Sequence, residues 1–361
     1  MSEPLPLATG TAGLPERRGP LTEALFGLLA GRPSDADPAR RNSLLAQART
    51  LCADVDDPLY DDDFQLALTV LYELHYRGIR DVDERWEWDP DLLAVRALLE
   101  DPFEVALRAL TAPLPEQVPP ADVPARLFAM TAPDGRPGLA AYMARTATRE
   151  QWLEFALHRS AYQLKEADPH TWAIPRLSGR AKAALVEVQF DEYGGGRPER
   201  IHSYLYVRLL RALGLDDTYG AALDRLPAIT LAWVNSMSLF GLHRRLRGAA
   251  VGHLTAYEMT SALPCHQYAK GLRRLGYGPE ATDFFDEHIE ADAVHEQIAG
   301  RELAGGLAEA EPDQVGAILF GAATSLAFDK RLGKHLLGCW QAGESSLRVD
   351  ASTGPLAVVA S

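Results

Sequence analysis

The chain has 361 residues, 47% hydrophobic and 24% charged, a globular composition with enough apolar side chains for one large core or two smaller ones. Its formal net charge of −14 repels phosphate backbones and anionic lipid, so neither nucleic acid nor a membrane is an expected partner. Cys52, Cys265 and Cys339 form no CxxC pair, the N-terminus MSEPLPLATGTAGLPERRGP has no apolar signal core, and no apolar run reaches the roughly 18 residues of a membrane span. A disulfide framework, a zinc ribbon and a transmembrane helix are therefore not expected, and a cytoplasmic location is.

Residues 1–19 read as a flexible N-terminus. After them, LTEALFGLLAG (21–31), RNSLLAQARTLCADV (41–55) and DDFQLALTVLYELHYRG (62–78) place apolar residues three and four apart, which predicts helices. The pattern continues through 90–111 with a break expected at Pro102, and a Pro-rich connection follows at 112–124. Together these form an N-terminal helical extension, residues 20–130. The acidic stretch DVDDPLYDDD (54–63) lacks the glycine and terminal glutamate of a calcium loop and reads as a solvated loop. Longer helices are expected at 148–167, 177–193, 198–213, 229–244, 246–262, 265–276, 279–304 and 312–337, punctuated by the prolines of DPHTWAIPRLSG and the glycines of YGGGRP. Residues 131–345 thus make a second unit and 346–361 a flexible tail. With no period-2 run and no internal repeat, the fold class is all-α.

In HIEADAVHEQ (288–297), His288, Asp292 and His295 stand four and three residues apart and share one helical face. Two imidazoles and a carboxylate suit iron, manganese or zinc better than calcium or magnesium, although a polar solvent face has the same spacing. Further candidates lie on other predicted helices: Glu166 in YQLKEADPH, Glu192 in VQFDEYGGG, His202 in PERIHSY, and Glu258 in the otherwise small and apolar HLTAYEMTS. A carboxylate in such surroundings is costly unless ligated or paired. Helical bundles build metal sites from several facing helices, and this many donors suits two cations bridged by carboxylates.

These positions resemble the haem-oxygenase-like diiron oxidases and oxygenases, the iron-containing redox enzymes. The likeness extends over KEADPHTWAIPRLSG, VEVQFDEYGGGRPERIHSYLYVRLLRALGLDDTYG, LFGLHRRLRGAAVGHLTAYEMTS and FFDEHIEADAVHE, within residues 140–310. The resemblance implies a haem-oxygenase-like helical bundle, two iron ions cycling between Fe(II) and Fe(III), and O2 as co-substrate. Its N-oxygenating branch adds a further glutamate, matched by Glu166 or Glu192, so the implied metal ligands are Glu166, Glu192, His202, Glu258, His288, Asp292 and His295. No other catalytic side chain is expected. The implied reaction is oxygenation of an amine or guanidine nitrogen in a small biosynthetic intermediate through a peroxo-diferric species. The alternatives are oxidative C–C cleavage of an amino acid or fatty acid, as elsewhere in the superfamily, and iron binding without turnover. Haem needs one or two axial ligands rather than this convergent set. With no GxGxxG and no P-loop, electrons are expected from an external reductase or small reductant. A cupin domain that accompanies this region in the N-oxygenating branch has no counterpart before Ser361, so the N–N bond-forming step associated with it is expected to be absent. The N-terminal helices either dimerise the protein, a homodimer being expected, or pack on the core.

Several nearby side chains compete for roles. Glu199 forms an ExxH pair with His202, but the resemblance favours Glu192, and Glu199 fits the start of a helix. Glu154 and His158 read as a surface or supporting pair, and His170, His243 and His253 as hydrogen-bonded histidines. Tyr193 and Tyr257 flank two candidate ligands and read as packing residues. Arg244, Arg245 and Arg247 could clamp a substrate carboxylate, though surface neutralisation is the simpler reading. Nothing marks Cys265 as a nucleophile.

Overall fold

Short polar side chains set the helix starts by accepting from backbone N–H groups that lack a partner in the first turn. Asp37, Asp61 and Asp89 do so at three starts, and Thr148 with Gln151 forms a capping box at a fourth. In the computed structural model, residues 10–114, 117–133, 135 and 138–348 are described, apart from the side chains of 290–294. The chain runs through α1 (Pro20–Leu29), α2 (Pro38–Asp54), α3 (Asp62–Glu73), α4 (Pro90–Thr111), α5 (Val123–Thr131) and α6 (Leu139–Arg145). It continues through α7 (Arg149–Gln163), the single turn α8 (Asp168–Thr171), α9 (Gly179–Glu192), α10 (His202–Leu213), α11 (Ala228–Leu242) and α12 (Arg247–Thr260). The last helices are α13 (Ala262–Arg274), α14 (Pro279–Gln297), α15 (Gly305–Ala310) and α16 (Val315–Gln341). Among the described residues there is no β-strand, and an isolated parallel bridge joins Thr11 to Tyr219. The fold is the all-α, haem-oxygenase-like bundle that the periodicity and the resemblance imply.

Helix α11 is buried from Ala228 to Gly241. Helix α3 lies against it, equally buried from Asp63 to Glu73. Asn235 Nδ2 donates to Gln65 O and Oε1 at 3.0 and 2.8 Å, and Tyr76 Oη donates to Ser238 Oγ at 3.1 Å. One apolar cluster therefore runs from Leu21 through Leu231 to Leu347, joining the N-terminal helices to the later ones. A second cluster, rich in aromatic rings (Trp152, Phe155, Tyr206, Tyr268, Phe284), sits among α7, α10, α13 and α14. Helices α12 and α16 cross closely because small residues meet there. A Cβ at Gly252 would lie 1.9 Å from Ile318 O, and one at Gly321 would lie 2.0 Å from Ala249 O.

Three local expectations are corrected. Pro102 does not break α4, which continues to Thr111. The proline removes the donor that Leu98 O would have met, and the Cys52 thiol donates to that carbonyl instead at 3.4 Å. The acidic stretch is solvated only in part: Asp54, Asp56 and Asp57 are exposed, but Asp63 accepts from Leu21 N, Thr22 N and Thr22 Oγ1, capping α1, while Asp62 accepts from Ala228 N at the start of α11. The predicted helix 279–304 changes to a π-helical segment from Ile298 to Ala304. Ordered backbone also extends into both expected flexible ends. Ala12 N donates to Tyr219 O at 2.8 Å, and Ser346 is 1% exposed. Residues 1–9 and 349–361 lie outside the described residues.

Candidate metal centre

Glu166 stands in the turn that ends α7, where Gln163 Nε2 donates to its Oε1 at 3.1 Å. The next residue, Ala167, takes φ 74°, an uncommon value for a residue with a Cβ, and turns the chain into α8. Glu192 is the last residue of α9 and His202 the first of α10. The loop between them closes through Gly194 at φ 72°, where a Cβ would meet Arg200 C and Ile201 N at 2.7 Å. Glu258 is fixed on α12 by the close crossing with α16, and α14 presents His288 and His295 on one face.

These side chains converge from five segments of the chain. One donor atom each from Glu166, Glu192, His202 and His288 lie within 4.8 Å of one another, as do one each from Glu192, Glu258 and His295. Glu192 belongs to both groups. Exposure is 9% for Glu166, 7% for Glu192, 6% for Glu258 and His288, and 1% for His202 and His295. His202 Nδ1 faces Glu192 Oε2 at 3.0 Å, and His288 Nε2 faces Glu166 Oε1 at 3.5 Å. Glu166 Oε2 is buried with no hydrogen-bond partner among the described residues, and the close approach of Glu192 Oε2 to His202 Nδ1 is an ion-pair contact without hydrogen-bond geometry. An unsatisfied buried oxygen costs about 1–3 kcal/mol, a cost that a bound cation would remove. The donor set, imidazoles and carboxylates, fits iron.

Neighbouring groups orient the donors. His288 Nδ1 donates to Phe284 O at 2.7 Å, which leaves Nε2 as the lone-pair nitrogen facing the cluster. His295 lies between Glu258 Oε2, 3.2 Å from its Nδ1, and Asp191 Oδ2, 2.9 Å from its Nε2. Burial works against its charge, but these two carboxylates prevail and raise its pKa to about 9. Burial likewise opposes the charge of Glu192, yet His202, then His288 and His295, hold that carboxyl at about 2. Glu258 moves the other way: burial pushes it up, the hydrogen bond with His295 pulls it down, and the charge of Glu192 tips the balance upward.

Of the seven positions singled out from sequence, Glu166, Glu192, His202, Glu258, His288 and His295 come together. Asp292 lies between the two histidines on α14, and its side chain is outside the described residues. Glu199 is exposed on the short turn before α10 and takes no part. Asp191 was not anticipated, because a carboxylate next to Glu192 points to another helical face and only the fold brings α14 over it.

The competing residues have other partners. Glu154 and His158 are not a surface pair. Glu154 accepts from Trp340 Nε1, Ser345 Oγ and Ser346 N and Oγ, and His158 meets Thr230 Oγ1 at 2.7 Å and Ser346 Oγ at 3.1 Å, so together they anchor residues 345–346. His243 pairs with Glu100 at 2.8 Å. His170 and His253 share a 3.2 Å contact, and burial lowers His170 to about 4. Tyr193 Oη donates to Asp168 Oδ1 at 2.8 Å. Arg245 and Arg247 pair with the partly buried Glu104 and Glu311.

A cavity opens onto the cluster. Glu166, Glu192, Glu258 and His288 line one part of it, and Phe155, Tyr162, Tyr206, Tyr257, Tyr268 and Phe284 supply aromatic walls from both apolar clusters.

An all-α bundle that gathers buried carboxylates and imidazoles beside an apolar cavity has the form of an iron-dependent oxidoreductase. Residues 153–330 match the family of iron-containing redox enzymes. All six converging donors fall inside the matched stretch. The chain is also similar to the nitrosourea synthase of Streptomyces achromogenes subsp. streptozoticus, 28% identical over 152 residues, which is 42% of this chain and 32% of the relative. The matched region thus spans about a third of that relative's length. No described helix is long and apolar enough to cross a membrane.

Proposed function

We propose that the protein is a non-haem diiron, O2-dependent N-oxygenase acting on an amine or guanidine nitrogen of a small biosynthetic intermediate. The observation that carries the diiron part is the membership of Glu192 in both donor groups, as expected of a carboxylate bridging two cations. Glu166, Glu192, His202 and His288 would hold one iron, and Glu192, Glu258 and His295 the other, with Asp292 a further ligand by its place on α14. Iron so held supplies the redox chemistry that transfers oxygen from O2, using electrons from an external donor.

The chain's own side chains bind, orient and shield. The aromatic walls exclude water and take up the apolar part of a substrate. Phe284 O and Asp191 fix the imidazoles of His288 and His295. Similarity to a nitrosourea synthase favours nitrogen as the site of oxidation. The test supplies Fe(II), O2, a reductant and a panel of amines and guanidines, then examines products by mass. A product heavier by oxygen supports the proposal. A shortened product with release of CO2 or an aldehyde would replace it with oxidative cleavage, and iron uptake without O2 consumption would reduce it to iron binding. Unchanged chemistry in Glu166→Ala would count against the N-oxygenase branch.

A further inference from the structure

The cavity beside the cluster contains one further charged feature. Arg159 lines it from α7, among aromatic side chains. Its guanidinium lies over the rings of Phe155 and Trp233, 5.6 and 5.1 Å from their centroids, so the ring faces support a cation where water is scarce. Its ion-pair partner is Asp329, at a long 3.8 Å, and the Asp329 side chain is 73% exposed. A pair at that distance with one exposed partner is weak, and Tyr268 and Tyr257 are further polar neighbours of the guanidinium. A guanidinium has five donors in a rigid fork, more than one long ion pair and a tyrosine hydroxyl use. Arg159 on α7 and Glu166 in the turn that ends it line the same cavity.

We propose that Arg159 reads a carboxylate on the substrate, so that the substrate is an amine carrying a carboxylate at the end remote from the reacting nitrogen. This rests on the reading of the cluster as the reacting centre. The fork takes the carboxylate oxygens in a bidentate pair, the aromatic walls take the stem, and the amine end extends toward Glu192 and Glu258. Arg159 is thus a specificity-determining residue rather than one that touches the reacting atoms.

The test measures equilibrium binding to the full-length protein as purified, under anaerobic conditions so that nothing turns over. The probes are matched pairs that share the amine and differ in the carboxylate: lysine and cadaverine, 6-aminohexanoate and pentylamine, 5-aminopentanoate and butylamine. Wild-type protein is expected to bind at least one carboxylate at least about tenfold more tightly than its decarboxylated partner. Arg159→Gln should abolish that preference, and Arg159→Lys, which keeps the charge but loses the fork, should retain part of it. Equal binding within every pair, no carboxylate bound at all, or a preference that survives in Arg159→Gln overturns the proposal. The wild-type comparison stands even if Arg159→Gln misfolds. The iron content of the same samples is measured separately, so a failed metal assignment is distinguishable from a failed carboxylate clamp.

Discussion

Replacing Glu192 with glutamine separates a shared metal centre from two independent sites. The substitution keeps the shape of the side chain and removes its charge. Glu192 is one of four donors in one group and one of three in the other, whereas Glu258 belongs only to the second. Removing one partner from a buried, charged arrangement costs about 3–5 kcal/mol, which weakens iron binding by more than about a hundredfold at each site it serves. Glu258→Gln should therefore leave about one iron per chain, and Glu192→Gln close to none. The assay is anaerobic loading with ferrous salt, desalting, and determination of iron against protein. Melting temperature gives a second readout, because ligand at 100 times its Kd stabilises by about 2.7 kcal/mol and that gain should vanish in Glu192→Gln. Glu192→Gln protein that retains as much iron as Glu258→Gln would refute the bridging role.

His295→Ala and Glu258→Ala should each lower iron content below wild type and abolish O2 consumption; wild-type iron and O2 uptake in either variant would contradict the site. His295 carries a proton held up to about 9 by Glu258 and Asp191 against burial, so iron loading near neutral pH should release about one proton. Calorimetry in buffers of different ionisation enthalpy reads this, and identical enthalpies would count against it. The same group sets a stability trend in metal-free protein. Its folded pKa lies above its ordinary 6.5, so its contribution is complete below about 6.5 and is lost as pH rises through about 9. The urea midpoint should fall across that window in wild type and less in His295→Ala. Finally, Gly252→Ala should destabilise by about 1–3 kcal/mol, since its Cβ would meet Ile318 O at 1.9 Å. Gly338→Ala, with nothing within 4 Å of its Cβ on α16, should instead stabilise by about 0.5–1 kcal/mol. Denaturant titration compares the two, and equal shifts would contradict the close crossing.

The helical class could be read from sequence because apolar spacing reports directly on which face of a helix is covered. The convergence of Glu166, Glu192, His202, Glu258, His288 and His295 could be read only through resemblance, since local spacing relates His288 to His295 but says nothing about α9 meeting α12. What remained hidden depends on distant chain. Pro102 sits in an unbroken helix because Cys52, fifty residues earlier, meets the orphaned Leu98 carbonyl. The end of the acidic stretch, Asp62 and Asp63, looks as solvated as the rest until α1 and α11 present their first-turn N–H groups to it. Glu154 and His158 look like a helix-surface pair until residues 345–346 fold over them. Arg159 is an ordinary arginine in sequence and becomes distinctive only when Phe155, Trp233 and the cavity surround it.

Anomalous diffraction at the iron edge, from crystals loaded anaerobically with ferrous salt, addresses the centre most directly. Two peaks are expected, one beside Glu166, His202 and His288 and the other beside Glu258 and His295, with the Glu192 carboxylate between them. An ordered cavity with no peak there, or with a single iron that Glu192 does not touch, would contradict a paired-iron site in this protein.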